Sequence, residues 1–148
     1  MTEVASTVEF HWGCRHSWHA ASTNTLWCLL GCSIGDFGTI LAFQTFSPST
    51  PALIVMSLAI VMGLLTSIAL ETVLLVRSMA PKEAFKTAVG MSLISMLAME
   101  ISMNGVDYLL VGKAALTWYS IGPSLLAGFL APLPYNYWRL KKFGQACH

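Results

Sequence analysis

The chain has 148 residues, 55% of them hydrophobic and only 10% charged, with a formal net charge of +1. A soluble domain carries about 25% charged residues, so this composition excludes an ordinary water-facing surface. The small net charge gives no electrostatic footprint for nucleic acid, and the length fits a single domain.

The first twenty residues hold Glu3, Glu9, Cys14, Arg15, His11, His16 and His19 but no apolar run, which is unlike a cleaved signal peptide. An apolar stretch of about 20 residues is enough to cross the roughly 30 Å hydrocarbon core as a helix. Four stretches meet that length. The first runs from about Thr25 to Phe46 and ends in a Ser47–Pro51 turn. The second runs from about Ala52 to Val76, followed by the polar connection Arg77–Lys86 with Pro81 inside it. The third runs from about Thr87 to Val111, where Gly112 and Lys113 break it. The fourth runs from about Ala114 to Ala131, with Pro132 and Pro134 at its end and Pro123 as an expected kink. Short connections favour an antiparallel bundle. The expected fold is therefore all-α, an integral membrane four-helix antiparallel bundle. Residues 1–24 form a His/Cys-containing N-terminal segment, 25–138 the transmembrane domain, and 139–148 a basic tail ending in Cys147-His148.

With four spans, both termini and the middle connection share one side. That side holds Arg15, Arg77, Lys82, Lys86, Arg139, Lys141 and Lys142, which leaves only Lys113 of the eight Lys and Arg for the other. Basic residues stay cytoplasmic, so both ends are expected inside, in a multi-pass protein of the inner (cytoplasmic) membrane. Tyr135, Tyr137 and Trp138 read as an aromatic belt at the lipid–water boundary. Gly31, Gly35 and Gly38, with Ala42, form a small-residue seam of the kind that lets helices approach closely.

All cysteines and histidines fall near the two termini: His11, Cys14, His16, His19, Cys28 and Cys32 at one, Cys147 and His148 at the other. The topology puts them on or near the cytoplasmic side, where the reducing compartment disfavours structural disulfides. Thiolate and imidazole suit soft or borderline ions such as Cu(I), Zn(II) or Hg(II). The run His11-x-x-Cys14-x-His16-x-x-His19 matches no standard zinc-finger spacing but groups several donors. These histidines also read as interfacial residues beside Trp12 and Trp18. Cys28, Cys32 and Asp36 recur at i, i+4 and i+8, on one helical face. A lone buried Cys is commonly a small hydrophobe, but the Asp below this pair raises the functional reading.

Asp36, Glu71, Glu100 and Asp107, four of the seven acidic residues, fall inside spans, out of reach of the cytoplasmic cations. Such acids are costly in lipid and are functional candidates by default, the alternative being protonated carboxyls hydrogen-bonded between helices. On the third span, Met96, Glu100, Met103 and Asp107 recur at i, i+4, i+7 and i+11, within a band roughly 60° wide, with Met99 and Asn104 flanking it. A methionine stripe alone is weak, since Met is a common packing filler. Interleaved carboxylates turn it toward the protein interior, and thioether sulfur suits Cu(I). Ordered by depth, the donors run from the cytoplasmic His and Cys to Cys28 and Cys32, then Asp36 and Glu71, then Met96, Met99, Glu100, Met103 and Asn104, and finally Asp107.

The stretch Trp27-Cys28-Leu29-Leu30-Gly31-Cys32-Ser33-Ile34-Gly35-Asp36 and the ending Pro134-Tyr135-Asn136-Tyr137-Trp138-Arg139-Leu140-Lys141-Lys142-Phe143-Gly144, closed by Cys147-His148, are distinctive. They resemble a bacterial and archaeal family of small membrane proteins carrying the domain of unknown function numbered 4396. The resemblance runs from about His19 to the end. It implies the membrane architecture and no particular activity.

The leading expectation is a non-enzymatic, soft-metal-binding or transporting membrane protein, with Cu(I) as the first-choice ion and no nucleotide. Its partners would be the bilayer, further copies of itself and a cytoplasmic metal donor. The Gly31/Gly35/Gly38 seam is the candidate contact between copies. Alternatives are a membrane thiol oxidoreductase, a haem-binding subunit, a non-catalytic assembly protein and a proton or cation channel. The first lacks a Cys-x-x-Cys pair, and the second lacks histidines within spans. No Walker motif, nucleotide-binding glycine loop or Ser-His-Asp arrangement is visible.

Overall fold

No proline interrupts the chain between Cys14 and Phe46, and the whole stretch forms one helix, α1 (Arg15–Phe46). The computed structural model describes residues 12–142, and among the described residues there are five helices and no strand. α1 begins ahead of the apolar run at Thr25. Hydropathy marks what crosses lipid, whereas a helix starts where its breakers and caps allow. Its 32 residues rise about 48 Å, well beyond a bilayer core. The surplus turns carry His16, Trp18 and His19.

The tight turn after Phe46 leads into α2 (Ala52–Leu75). α3 (Pro81–Val111) opens on Pro81 in its first turn, where the missing N–H has no partner to lose. The expected polar connection is therefore shortened, with 81–86 helical. α3 stops at Gly112, whose φ of 73° is the left-handed conformation that ends helices and that glycine adopts without strain.

The fourth apolar stretch departs from expectation. A capping box between Thr117 and Ser120 delays α4 (Trp118–Leu130), and Pro132, lacking an N–H, ends its ladder before α5 (Leu133–Lys142). With 13 residues, α4 is shorter than the roughly 20 needed to cross a bilayer unaided. Among the described residues three helices are long and apolar enough to do so: α1, α2 and the Ser92–Val111 part of α3.

α1 packs along α2, α3 lies against α2 and α4, and α5 folds back onto α1. Small and polar residues are prominent in the interior, beside a few large ones such as Tyr137, Ile40 and Met96, and most of the exterior is large and apolar. Val55, Ala59, Gly63 and Ser67 recur every fourth residue on the buried face of α2, as do Ser120, Ser124 and Gly128 on α4. Leu26, Ile34, Leu53, Leu65, Ile101 and Leu109 are exposed. That inversion of the soluble pattern is what an apolar solvent demands, because small residues let helices approach and large ones meet lipid.

The glycine seam of α1 is used inside the chain. A side-chain carbon at Gly31 would come within 2.7 Å of the Ser67 backbone, and one at Gly35 would strike the Met62 carbonyl. Thr66 Oγ1 donates to the Gly31 carbonyl at 2.6 Å across this contact. Gly31 and Gly35 are therefore packed against α2 of the same chain. A side-chain carbon at Gly38 would meet nothing within 4 Å among the described residues.

α5 is tied to the first turns of α1. Asn136 Nδ2 donates to Thr25 Oγ1 at 2.7 Å, and the Cys14 N–H donates to Tyr137 Oη at 3.4 Å. Tyr137 is completely buried and stacks on Trp18 and Trp12, with ring centroids 4.2 and 5.2 Å away. It is thus a packing centre, and only Tyr135 and Trp138 keep the exposure of an aromatic belt. At the opposite end the Leu116 N–H donates to Gln44 Oε1 at 3.0 Å, joining the end of α1 to the α3–α4 connection beside Lys113.

Candidate functional site

The centre of the bundle is polar. Asp36 from α1 and Glu100, Asn104 and Asp107 from α3 are all buried. The carboxylates of α3 recur at helical spacing on the face turned from lipid, so one register delivers them all to the interior. Asn104 Nδ2 donates to Asp36 Oδ1 at 2.8 Å and to the Glu100 carbonyl at 3.1 Å. One amide thus crosses from α3 to α1 and also anchors itself to its own helix. Asp107, one turn further, lies beside Ser120 of α4.

Glu100 is fully buried, and neither carboxylate oxygen has a hydrogen-bond partner among the described residues. Its carboxylate rests directly against Gly63 of α2, where any side chain would collide with it. The Cys32 thiol lies beside it, and the charge of Asp36 reaches it. Asn104 Oδ1, Ser95 Oγ and Ser124 Oγ are likewise buried without partners. Such a concentration of unmet polar atoms within a few helical turns is unusual, because each carries a desolvation cost.

A sulfur-rich cluster adjoins this carboxylate through Cys32. Cys28, Cys32, Met96, Met99 and Met103 form one packed cluster with Leu29, lined by Phe37, Leu64, Ile68, Leu125 and Phe129. Cys28 Sγ lies 3.5 Å from Ser67 Oγ, and Ser67 Oγ also donates to the Cys28 carbonyl at 3.2 Å. Met103 fits because Gly128 of α4 leaves room for its sulfur. The Cys pair of α1 and the Met stripe of α3, 64 or more residues apart in sequence, thereby meet in one place.

The outer donors do not join them. His16 and His19 are exposed on the first turns of α1. The free thiols among the described residues are Cys28 and Cys32, so Cys14 is not one of them. His11, Cys147 and His148 lie outside the described residues. Among the described residues, no three of His, Cys, Asp and Glu converge as a metal-binding group.

Glu71 sits apart from the central acids, and it corrects the expectation that no cation reaches the carboxylates. Arg139 of α5 turns inward and is 8% exposed. The charges of Glu71 and Arg139 act on one another, and Ser92 and Cys28 lie beside the Glu71 carboxylate. An arginine remains cationic even where it is buried. Sequence gave no sign of this, because Arg139 reads as one of three basic residues at a membrane boundary. Gly63, Ser67 and Gly128 were also overlooked, although their four-residue spacing with Ala59 and Ser124 is a legible seam.

No curated protein and no solved structure matches the chain. The family described as "Domain of unknown function (DUF4396)" matches residues 17–145, nearly the whole chain, and the chain belongs to that family.

Proposed function

We propose that this is a multi-pass protein of the inner (cytoplasmic) membrane that crosses four times and binds a soft cation inside the bundle, with Cu(I) as first choice. α4 and α5 in tandem would supply the fourth crossing. Seven of the eight Lys and Arg belong to the end where α1 starts and α5 ends, and Lys113 belongs to the other, which supports both ends being cytoplasmic.

The observation that carries the cation is the Glu100 carboxylate, buried with both oxygens unpartnered. An unpaired carboxylate in an apolar interior is costly, so it either holds a proton or faces a cation. The sulfur cluster that adjoins it at Cys32 favours a soft ion. Thiolates of Cys28 and Cys32 with thioethers of Met99 and Met103 suit Cu(I) better than a hard divalent ion. Asp36, Asn104 and Asp107 continue the polar path toward the Lys113 end, giving a released ion or an exchanged proton somewhere to go.

The test is an anaerobic Cu(I) titration of purified protein against a chromogenic chelator. Cys28→Ser/Cys32→Ser and Met96→Leu/Met103→Leu are run beside the wild type. Stoichiometric binding weakened in both variants is expected. A wild type that takes no Cu(I) from the chelator overturns the copper assignment.

A second reading, a proton path, is favoured by the Asn104 bridge between Asp36 and α3. It predicts proton flux in liposomes that survives loss of both cysteines and disappears in Glu100→Gln.

A further inference from the structure

Between α1, α2, α3 and α5 lies a cavity of about 230 Å³, separate from the sulfur cluster. Two opposite charges line it, Glu71 from α2 and Arg139 from α5. Arg139 is more than nine-tenths buried, and its Nη1 has no hydrogen-bond partner among the described residues. A buried guanidinium with an unmet donor is held at a cost, which an incoming acceptor removes. Guanidinium geometry favours oxoanions, carboxylate or phosphate. Glu71 offers the complementary acceptor, with Ser92 beside it. Trp27, Leu74 and Leu140 give the same cavity apolar walls. Its volume is below the roughly 300–1,000 Å³ of drug-sized pockets, which limits the occupant to a small head group or metabolite.

We propose that this cavity binds a small zwitterion, its oxoanion held by Arg139 and its ammonium by Glu71. Two sources carry that chemistry. One is the head group of a phosphatidylethanolamine molecule, with its glycerol and chains running along the apolar walls to the bilayer. The other is a free amino acid. The cavity adjoins the proposed copper site at Cys28, which lies beside Glu71, but no residue of the sulfur cluster lines it.

The experiment measures binding to the detergent-purified full chain by calorimetry and native mass spectrometry. The probes are short-chain phosphatidylethanolamine, short-chain phosphatidylglycerol, glycine and inorganic phosphate. Saturable binding of phosphatidylethanolamine or of glycine is expected, and whichever binds identifies the source. Phosphatidylglycerol and phosphate, which lack the ammonium, should bind about ten-fold more weakly or not at all. Arg139→Gln and Glu71→Gln should each weaken the preferred probe about ten-fold or more. Thr87→Phe, which fills the cavity and keeps both charges, should abolish binding and covers the case in which Arg139→Gln fails to fold. Absence of saturable binding by both zwitterions in the folded wild type overturns the proposal. So does binding that Thr87→Phe leaves intact, or equal affinity for phosphatidylglycerol and phosphatidylethanolamine. Cu(I) uptake should be unchanged in Thr87→Phe, which leaves Cys28, Glu71 and Arg139 in place, so failure here and failure of the copper assignment are separately visible.

Discussion

Gly63 of α2 lies directly against the carboxylate of Glu100 on α3, so that a residue without a side chain makes room for a fully buried acid. Gly63→Ala should therefore act through Glu100. Overpacking of this kind costs about 1–3 kcal/mol. Thermal unfolding in detergent should show that loss for Gly63→Ala and a smaller one when Glu100→Ala accompanies it. Strictly additive losses in the double-mutant cycle would mean that the two residues do not share the space.

The Asn104–Asp36 bond should behave as a buried pair whose halves depend on each other. Asn104→Leu strands the Asp36 carboxylate and should cost about 1–3 kcal/mol. Replacing both residues by Leu removes the stranded group and should cost less than the single change. A double variant less stable than Asn104→Leu would contradict the arrangement.

Tyr137 joins the end of the chain to its beginning through two aromatic contacts. Tyr137→Phe keeps both stacks and loses the 3.4 Å bond from Cys14, so it should cost about 1 kcal/mol. Tyr137→Ala empties a completely buried position and should cost about 3–5 kcal/mol, with altered emission from Trp12 and Trp18. Equal stability of the two variants would show that the stack does not hold α5 on α1.

What the sequence made legible was the interior face of α3. Carboxylates cannot face lipid, so Glu100 and Asp107 orient the helix, and Met96, Met99 and Met103 follow by spacing. The Cys28–Cys32–Asp36 face of α1 was legible for the same reason. Other features were not, because they depend on pairing between distant segments. Arg139 and Tyr137 look like interfacial residues until α5 is known to fold onto α1. The break at Pro132 was visible, but nothing local showed that α4 would start at Trp118 rather than near Ala114. The glycine seam was found, whereas its partner, α2 of the same chain, could not be read from α1 alone.

The orientation can be checked by cysteine labelling. Lys113→Cys and Arg77→Cys sit at opposite ends of the bundle. In spheroplasts, a membrane-impermeant maleimide should label Lys113→Cys above the parent chain and leave Arg77→Cys unlabelled until the cells are lysed. The reverse pattern would invert the topology.

The central claim, a soft cation held by sulfur inside the bundle, is tested most directly by X-ray absorption at the copper edge of Cu(I)-loaded protein. A first coordination shell dominated by sulfur is predicted. It should lose scatterers in Cys28→Ser/Cys32→Ser and again when Met99 and Met103 become Leu. A nitrogen-dominated shell unchanged in those variants would place any copper on the exposed histidines instead, and would contradict an interior sulfur site.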